Sequence, residues 1–233
     1  MARRQNFRKV WQCMLLLVPV ILFITFMLQD NSNEIFSAEW RRAIISRFDS
    51  QSTKTLPKQS AAMCNTKVEC PEETYGFYIQ SGAANVMPPK ICLQNKPVLG
   101  MVLNNAGIGI NIVIVNGKTG EAIKTGHFNM FTGEVQPLID FLKSIDKGSV
   151  VLIATYDEPA SKLNDEARKL MAELGSTAIQ SLRFRDSWVF VGGKGAAVDS
   201  SFEKHVKNDP ANNKYENWPE LIELHGCIPK YQE

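Results

Sequence analysis

The chain predicts an α+β domain in which mostly antiparallel sheets carry helices packed on one face. Three observations lead there. Short β-branched or aromatic runs bounded by Gly, Pro or Asn recur from residue 74 onward; two segments switch to helical apolar spacing; and four cysteines form an even set behind an entry signal for the secretory pathway.

The strands predicted in order are 75–80, 98–103, 110–115, 122–128, 150–155 and 188–191. The stretch 106–121 deserves separate treatment because its Gly-x-Gly and Gly-Lys-Thr fragments suggest a phosphate loop. That loop needs a glycine five places before Gly117, where Ile112 stands, and a dinucleotide fingerprint must open a helix, whereas Gly107 and Gly109 precede a β-branched run. The stretch therefore reads as a hairpin turning at Asn116, Gly117 and Lys118. Val135, Leu138, Ile139, Leu142 and Ile145 follow helical spacing, with Thr132 available to cap and Gly148 past the end. Leu163, Ala167, Leu170, Met171 and Leu174 predict a second helix that stops at Gly175. Gly192, Gly193 and Gly195 around Lys194 follow a strand and open no helix, so they read as a tight turn.

The first sixty residues differ in kind. Arg3, Arg4, Arg8 and Lys9 precede an apolar run from Val10 to Leu28, so residues 1–28 read as a signal peptide or a signal anchor that sends the rest of the chain into the lumen. Residues 29–60 are polar and read as a flexible stem or propeptide, leaving 61–233 as the folded domain. The expected location is secreted, through the ER and Golgi, with a type II membrane protein of that pathway as the alternative. Residues 1–60 hold nine Lys and Arg against four Asp and Glu, leaving seventeen against twenty beyond them. The folded part lacks the basic footprint of a nucleic-acid binder.

Cys13 lies in the apolar run. Cys64, Cys70, Cys92 and Cys227 favour two disulfides in an oxidising compartment, and spacing leaves three pairings open. No Cys-x-x-Cys or Asp-x-Asp occurs, nor Gly-x-Ser-x-Gly or His-Glu-x-x-His, so neither a catalytic group, a metal site nor a cofactor is expected. Asp157 and Glu158 read as the start of the next helix, where acidic groups favour the positive end of the dipole. Trp188 alternates with Phe190 and reads as core. Trp218 lies in a C-terminal loop and reads as an anchor tying that segment and Cys227 to the body.

Nine motifs in order, from Ser81-Gly-Ala-Ala-Asn-Val86 and Pro89-Lys-Ile-Cys92 through Ala154-Thr-Tyr-Asp157 and Phe184-Arg-Asp-Ser-Trp-Val-Phe190 to Gly226-Cys-Ile-Pro229, resemble the family with sequence similarity three. This is the family of the interleukin-like EMT inducer and pancreatic-derived factor. The likeness runs from Cys64 to Pro229. It implies a compact ββα globular domain, secreted and cytokine-like, signalling through a cell-surface protein receptor without catalysis. It also implies the pairs Cys64–Cys92 and Cys70–Cys227. A similar domain serves as a sugar-binding stem in a glycosyltransferase, which makes glycans the alternative ligand and Asp157, Arg185, Asp186 and the position of Ile108 the candidate ligand residues. Most relatives carry arginine where Ile108 stands, and isoleucine offers a sugar no donor. One branch carries a cysteine where this chain has Val191, so a monomer or a non-covalent dimer is expected.

Overall fold

The computed structural model describes Cys64 and residues 69–195 and 202–230. The leader and the stem lie outside the described residues. Nine strands form two antiparallel sheets: β1 (Thr74–Gln80), β2 (Lys90–Leu93), β3 (Lys96–Leu99) and β9 (Glu223–Pro229) in the order β3-β2-β1-β9, and β4 (Gly109–Asn116), β5 (Ala122–Phe128), β6 (Ser149–Tyr156), β7 (Ser187–Gly193) and β8 (Glu203–Val206) in the order β5-β4-β6-β7-β8. Helices α1 (Gln136–Lys143) and α2 (Asp165–Ala172) complete the domain.

The three elements stack as layers because β4, β6 and β7 are apolar on both faces. Ile110, Ile112, Ile114, Ile153, Trp188 and Phe190 meet Leu138, Ile139, Leu142, Ala167 and Met171 of the helices. The alternate residues Val113, Val115, Leu152, Ala154, Val189 and Val191 meet Phe77, Ile79, Ile91 and Leu99 of the four-stranded sheet. Side chains on a strand alternate between faces, so a near-continuous apolar strand signals a middle layer. The order of layers is therefore sheet, sheet, helices, the ββα arrangement that the resemblance implied. Two disulfides, Cys64–Cys92 and Cys70–Cys227, tie the chain to the outer sheet.

Several local expectations need correction. The strand expected over 98–103 ends at Leu99, and Met101–Leu103 forms a 3-10 turn whose side chains are exposed. Asn105 redirects the backbone there: its Oδ1 accepts the Gly100 N–H at 2.9 Å and its Nδ2 donates to the Val98 carbonyl at 2.9 Å. The hairpin loop after β4 is longer than an Asn-Gly turn, because Asn116 Oδ1 accepts from Lys118 N–H and Thr119 N–H, and the positive φ falls on Gly120 at 73°. Thr132 does not cap α1. Its hydroxyl accepts from Asn129 Nδ2, while α1 begins with Pro in its first turn and no side-chain cap. For α2 the cap is Asn164, whose Oδ1 accepts the Ala167 N–H. Gly192 and Gly193 belong to β7, and only Lys194 and Gly195 turn.

Candidate functional site

The end of the middle sheet where β4 begins, β6 ends and β7 begins collects the loops 81–89, 100–108, 157–164, 182–186 and 207–222. Gly109 opens β4 at φ 98°, and a Cβ there would stand 2.0 Å from the Phe128 carbonyl oxygen, so only glycine lets β4 enter beside β5 at this point. The pair Gly109↔Tyr156 closes the β4–β6 ladder, so Ile108 and Asp157, one residue beyond it on either strand, lie at the same end of the sheet. Ile108 is 37% exposed. Tyr156 Oη donates to the Asn85 carbonyl at 2.9 Å, fixing loop 81–89 to the same end.

Asp157 does not start a helix. It stands at φ 58°, eight residues before α2, and receives the Trp218 indole N–H on its carbonyl at 3.2 Å and on Oδ1 at 3.0 Å. Glu158 is buried and its carboxylate accepts the N–H groups of Ala160 and Ser161, which shapes the loop ahead of α2. Trp218 is presented by a turn in which Tyr215 and Trp218 exchange two backbone hydrogen bonds of 3.0 Å, with Glu216 at φ 53°. The indole thus anchors the C-terminal loop to the body, and it also carries a cation.

The Arg185 guanidinium lies 4.1 Å over the Trp218 ring and 4.8 Å from the Phe184 ring. Its backbone is at φ 60°, a left-handed conformation that a non-glycine residue seldom takes. Its Nε is buried without a hydrogen-bond partner. Trp218 therefore brings together two of the expected ligand residues, Asp157 and Arg185, from segments far apart in sequence.

Asp186 does something else. It is 3% exposed, its Oδ2 pairs with His205 Nε2 at 2.7 Å and accepts the Arg183 N–H at 2.8 Å, and its Oδ1 accepts the Asn208 N–H at 2.7 Å. Burial alone would raise its pKa, but the His205 contact and the two backbone donors outweigh that and hold the carboxyl below its ordinary value. It holds the 182–186 turn, β8 and the start of loop 207–222 together. Trp188 is wholly buried, stacks on Phe190 and donates from Nε1 to Glu203, so it is core.

Among the described residues, no group of three or more His, Cys, Asp and Glu is arranged to hold a metal ion, and no helix is long and apolar enough to cross a membrane. What the site offers is a cation lying over two aromatic rings, with exposed apolar side chains at the same end of the sheet. Sequence reading missed Phe184 and the role of Trp218 under Arg185. The only signal for either was an aromatic residue in a polar loop.

Residues 108–196 match the family model described as interleukin-like EMT inducer. The chain is 50% identical over 188 residues to Protein FAM3C of Homo sapiens, covering 81% of this chain and 82% of that one. It is 48% identical over 219 residues to Protein FAM3C of Rattus norvegicus, covering 94% and 96%. Against Protein FAM3A of Homo sapiens it is 48% identical over 179 residues, covering 77% and 78%. With a family model on its central sheet and about half of the aligned residues identical to these relatives over most of their length, the chain belongs to the FAM3 family of interleukin-like, cytokine-like proteins.

Proposed function

We propose that the protein is a non-catalytic, secreted, cytokine-like ligand that acts through a cell-surface protein receptor. The observation that carries this reading is the placement of exposed apolar side chains. Of nine large ones among the described residues, seven stand in the loops at the end just described and an eighth, Phe131, in loop 129–135, which leaves β5 beside the start of β4; only Ile123 stands elsewhere. Val86 is 78% exposed, Met101 66% and Val102 62%. Loops 81–89 and 100–108 contain no Asp, Glu, Lys or Arg, in a chain that is 21% charged. An apolar surface concentrated in this way, rather than scattered, marks an interaction site. Family membership supplies the class of interaction.

Binding of labelled protein, purified from cells expressing the full chain, to intact cells treated with surface protease or with broad glycosidases tests this. Loss after protease alone supports a protein receptor. Loss after glycosidase alone makes the domain a lectin. That second reading draws on Asp157 and Arg185 meeting at Trp218, but Asp157 Oδ1 is already occupied by the indole and Ile108 contributes no polar atom.

A further inference from the structure

The partner's chemistry can be narrowed, on the protein-receptor reading above. We propose that Arg185 is the anchor for a carboxylate, an Asp or Glu side chain of the protein partner, with the uncharged apolar loops beside it as the flanking contact.

Four observations carry this. The guanidinium is pre-positioned: contact with rings at 4.1 and 4.8 Å restrains the side chain, so less of its freedom remains to be lost on binding. Among the described residues no carboxylate is ion-paired with it, and nearby Asp186 is committed to His205, Arg183 and Asn208. Its buried Nε lacks an acceptor, and a buried donor left unmade is a cost that calls for an explanation. The surroundings are complementary to a negative group. Arg183, Phe184 and Lys207 line an adjoining concavity of about 360 Å³, and the one carboxylate there, Asp186, is turned inward and 3% exposed. Arginine and phenylalanine are both enriched at protein interfaces, and a guanidinium fork matches a carboxylate with two parallel hydrogen bonds. The strip running from Ile108 to loops 81–89 and 100–108 would repel a charged flank and accept an apolar one. The occupant is therefore a protein segment with one or more acidic side chains next to apolar ones.

The test uses R185E and R185Q, with K147E as a control that makes the same charge change in the turn between α1 and β6, at the opposite end of the sheets. Each is first checked for an unaltered folded state by far-ultraviolet circular dichroism and melting temperature. Retention on immobilised poly-L-glutamate is then measured across salt, followed by binding to a panel of cells with and without surface protease, sialidase or heparinase. The expected result is that R185E weakens both poly-L-glutamate retention and protease-sensitive cell binding tenfold or more, R185Q somewhat less, and K147E within twofold of wild type. Folded R185E that binds poly-L-glutamate and protease-sensitive sites like wild type overturns the Arg185 inference and leaves the receptor reading intact. Poly-L-glutamate retention that depends on Arg185, with no protease-sensitive binding on any cell, overturns the receptor reading and supports the anion site alone. Loss of cell binding with sialidase or heparinase but not protease moves the anion onto a glycan and overturns both.

Discussion

Glu203 and Asp186 are the carboxylates on which the fold leans, for the same physical reason. The Glu203 carboxylate accepts from Ser176 Oγ, Thr177 N–H and Oγ1, Ala178 N–H and Trp188 Nε1. Burial would raise its pKa, yet those donors outweigh burial and depress it, as His205 and the backbone do for Asp186. A group with a depressed folded pKa stabilises the fold fully above its unfolded value and loses that contribution as pH falls through the folded one. Stability should therefore decline as pH drops below the ordinary values of 4.5 and 3.8. The melting-temperature gap between wild type and E203Q should be widest near neutrality and narrow toward pH 3, which thermal scans across pH would measure. Asn111 carries a different burden. Wholly buried in an otherwise apolar strand, it returns both amide atoms to Gly107, accepting its N–H at 2.9 Å and donating to its carbonyl at 2.7 Å. N111A leaves both backbone groups unmet and should lower unfolding free energy by about 1–3 kcal/mol in a denaturant titration. At this scale the sequence was legible only in type: Asp157 and Asp186 look alike in a string, yet one is partnered across 61 residues by Trp218 and the other is locked by His205. Such partners come from the tertiary fold, which no local pattern records.

The elements differ in how much of themselves they announce. β4 and β6 did so almost to their ends, because a middle-layer strand is apolar on both faces and shows in the sequence as the unbroken apolar runs 112–115 and 150–154. α2 was placed by its stripe and its Gly175 stop. β2, β8 and β9 were missed, β2 because Lys90–Leu93 offers only four residues. Glu203–Val206 has four residues, only partly buried, while Glu223–Pro229 contains Gly226 and Pro229 and alternates weakly. β9 is a strand because all seven of its residues pair with β1 and because Cys227 is tied to Cys70. That dependence predicts an asymmetry between the disulfides. The Cys70–Cys227 loop spans 157 residues and the Cys64–Cys92 loop 28, so on the chain-entropy model the first stabilises by about 4 to 5 kcal/mol and the second by about 3 to 4. Replacing Cys70 and Cys227 together by serine should lower the melting temperature more than replacing the other pair, and should raise amide exchange first along β9.

At the scale of the described domain, the layer order covers both faces of the middle sheet, one with helices and the other with the outer sheet, and leaves its ends to the loops. The class α+β and the pairing of helices with one sheet face were readable from periodicity. The concentration of apolar loops at one end was not, because 81–89, 100–108 and 129–135 are separated by strands whose direction only the topology supplies. The cysteines bear on covalent association alone. All four in the domain are bridged internally, and the position used by a cysteine in one branch of the family is Val191, 4% exposed within β7. The isolated domain should therefore run as one band of monomer mass on a non-reducing gel, and a dimer band that vanishes with reductant would contradict this.

The long Cys70–Cys227 span also bears on how the molecule meets a protease. A single cut anywhere between those two residues leaves the pieces joined through sulfur, and a nick in a surface loop such as 81–89 or 207–222 releases nothing. A clipped population would keep its mass on a gel without reductant and separate into two fragments only when reductant is added. Cleavage could then alter the recognition end while the body stays whole, so that intact and nicked protein differ in what they bind and not in what they weigh.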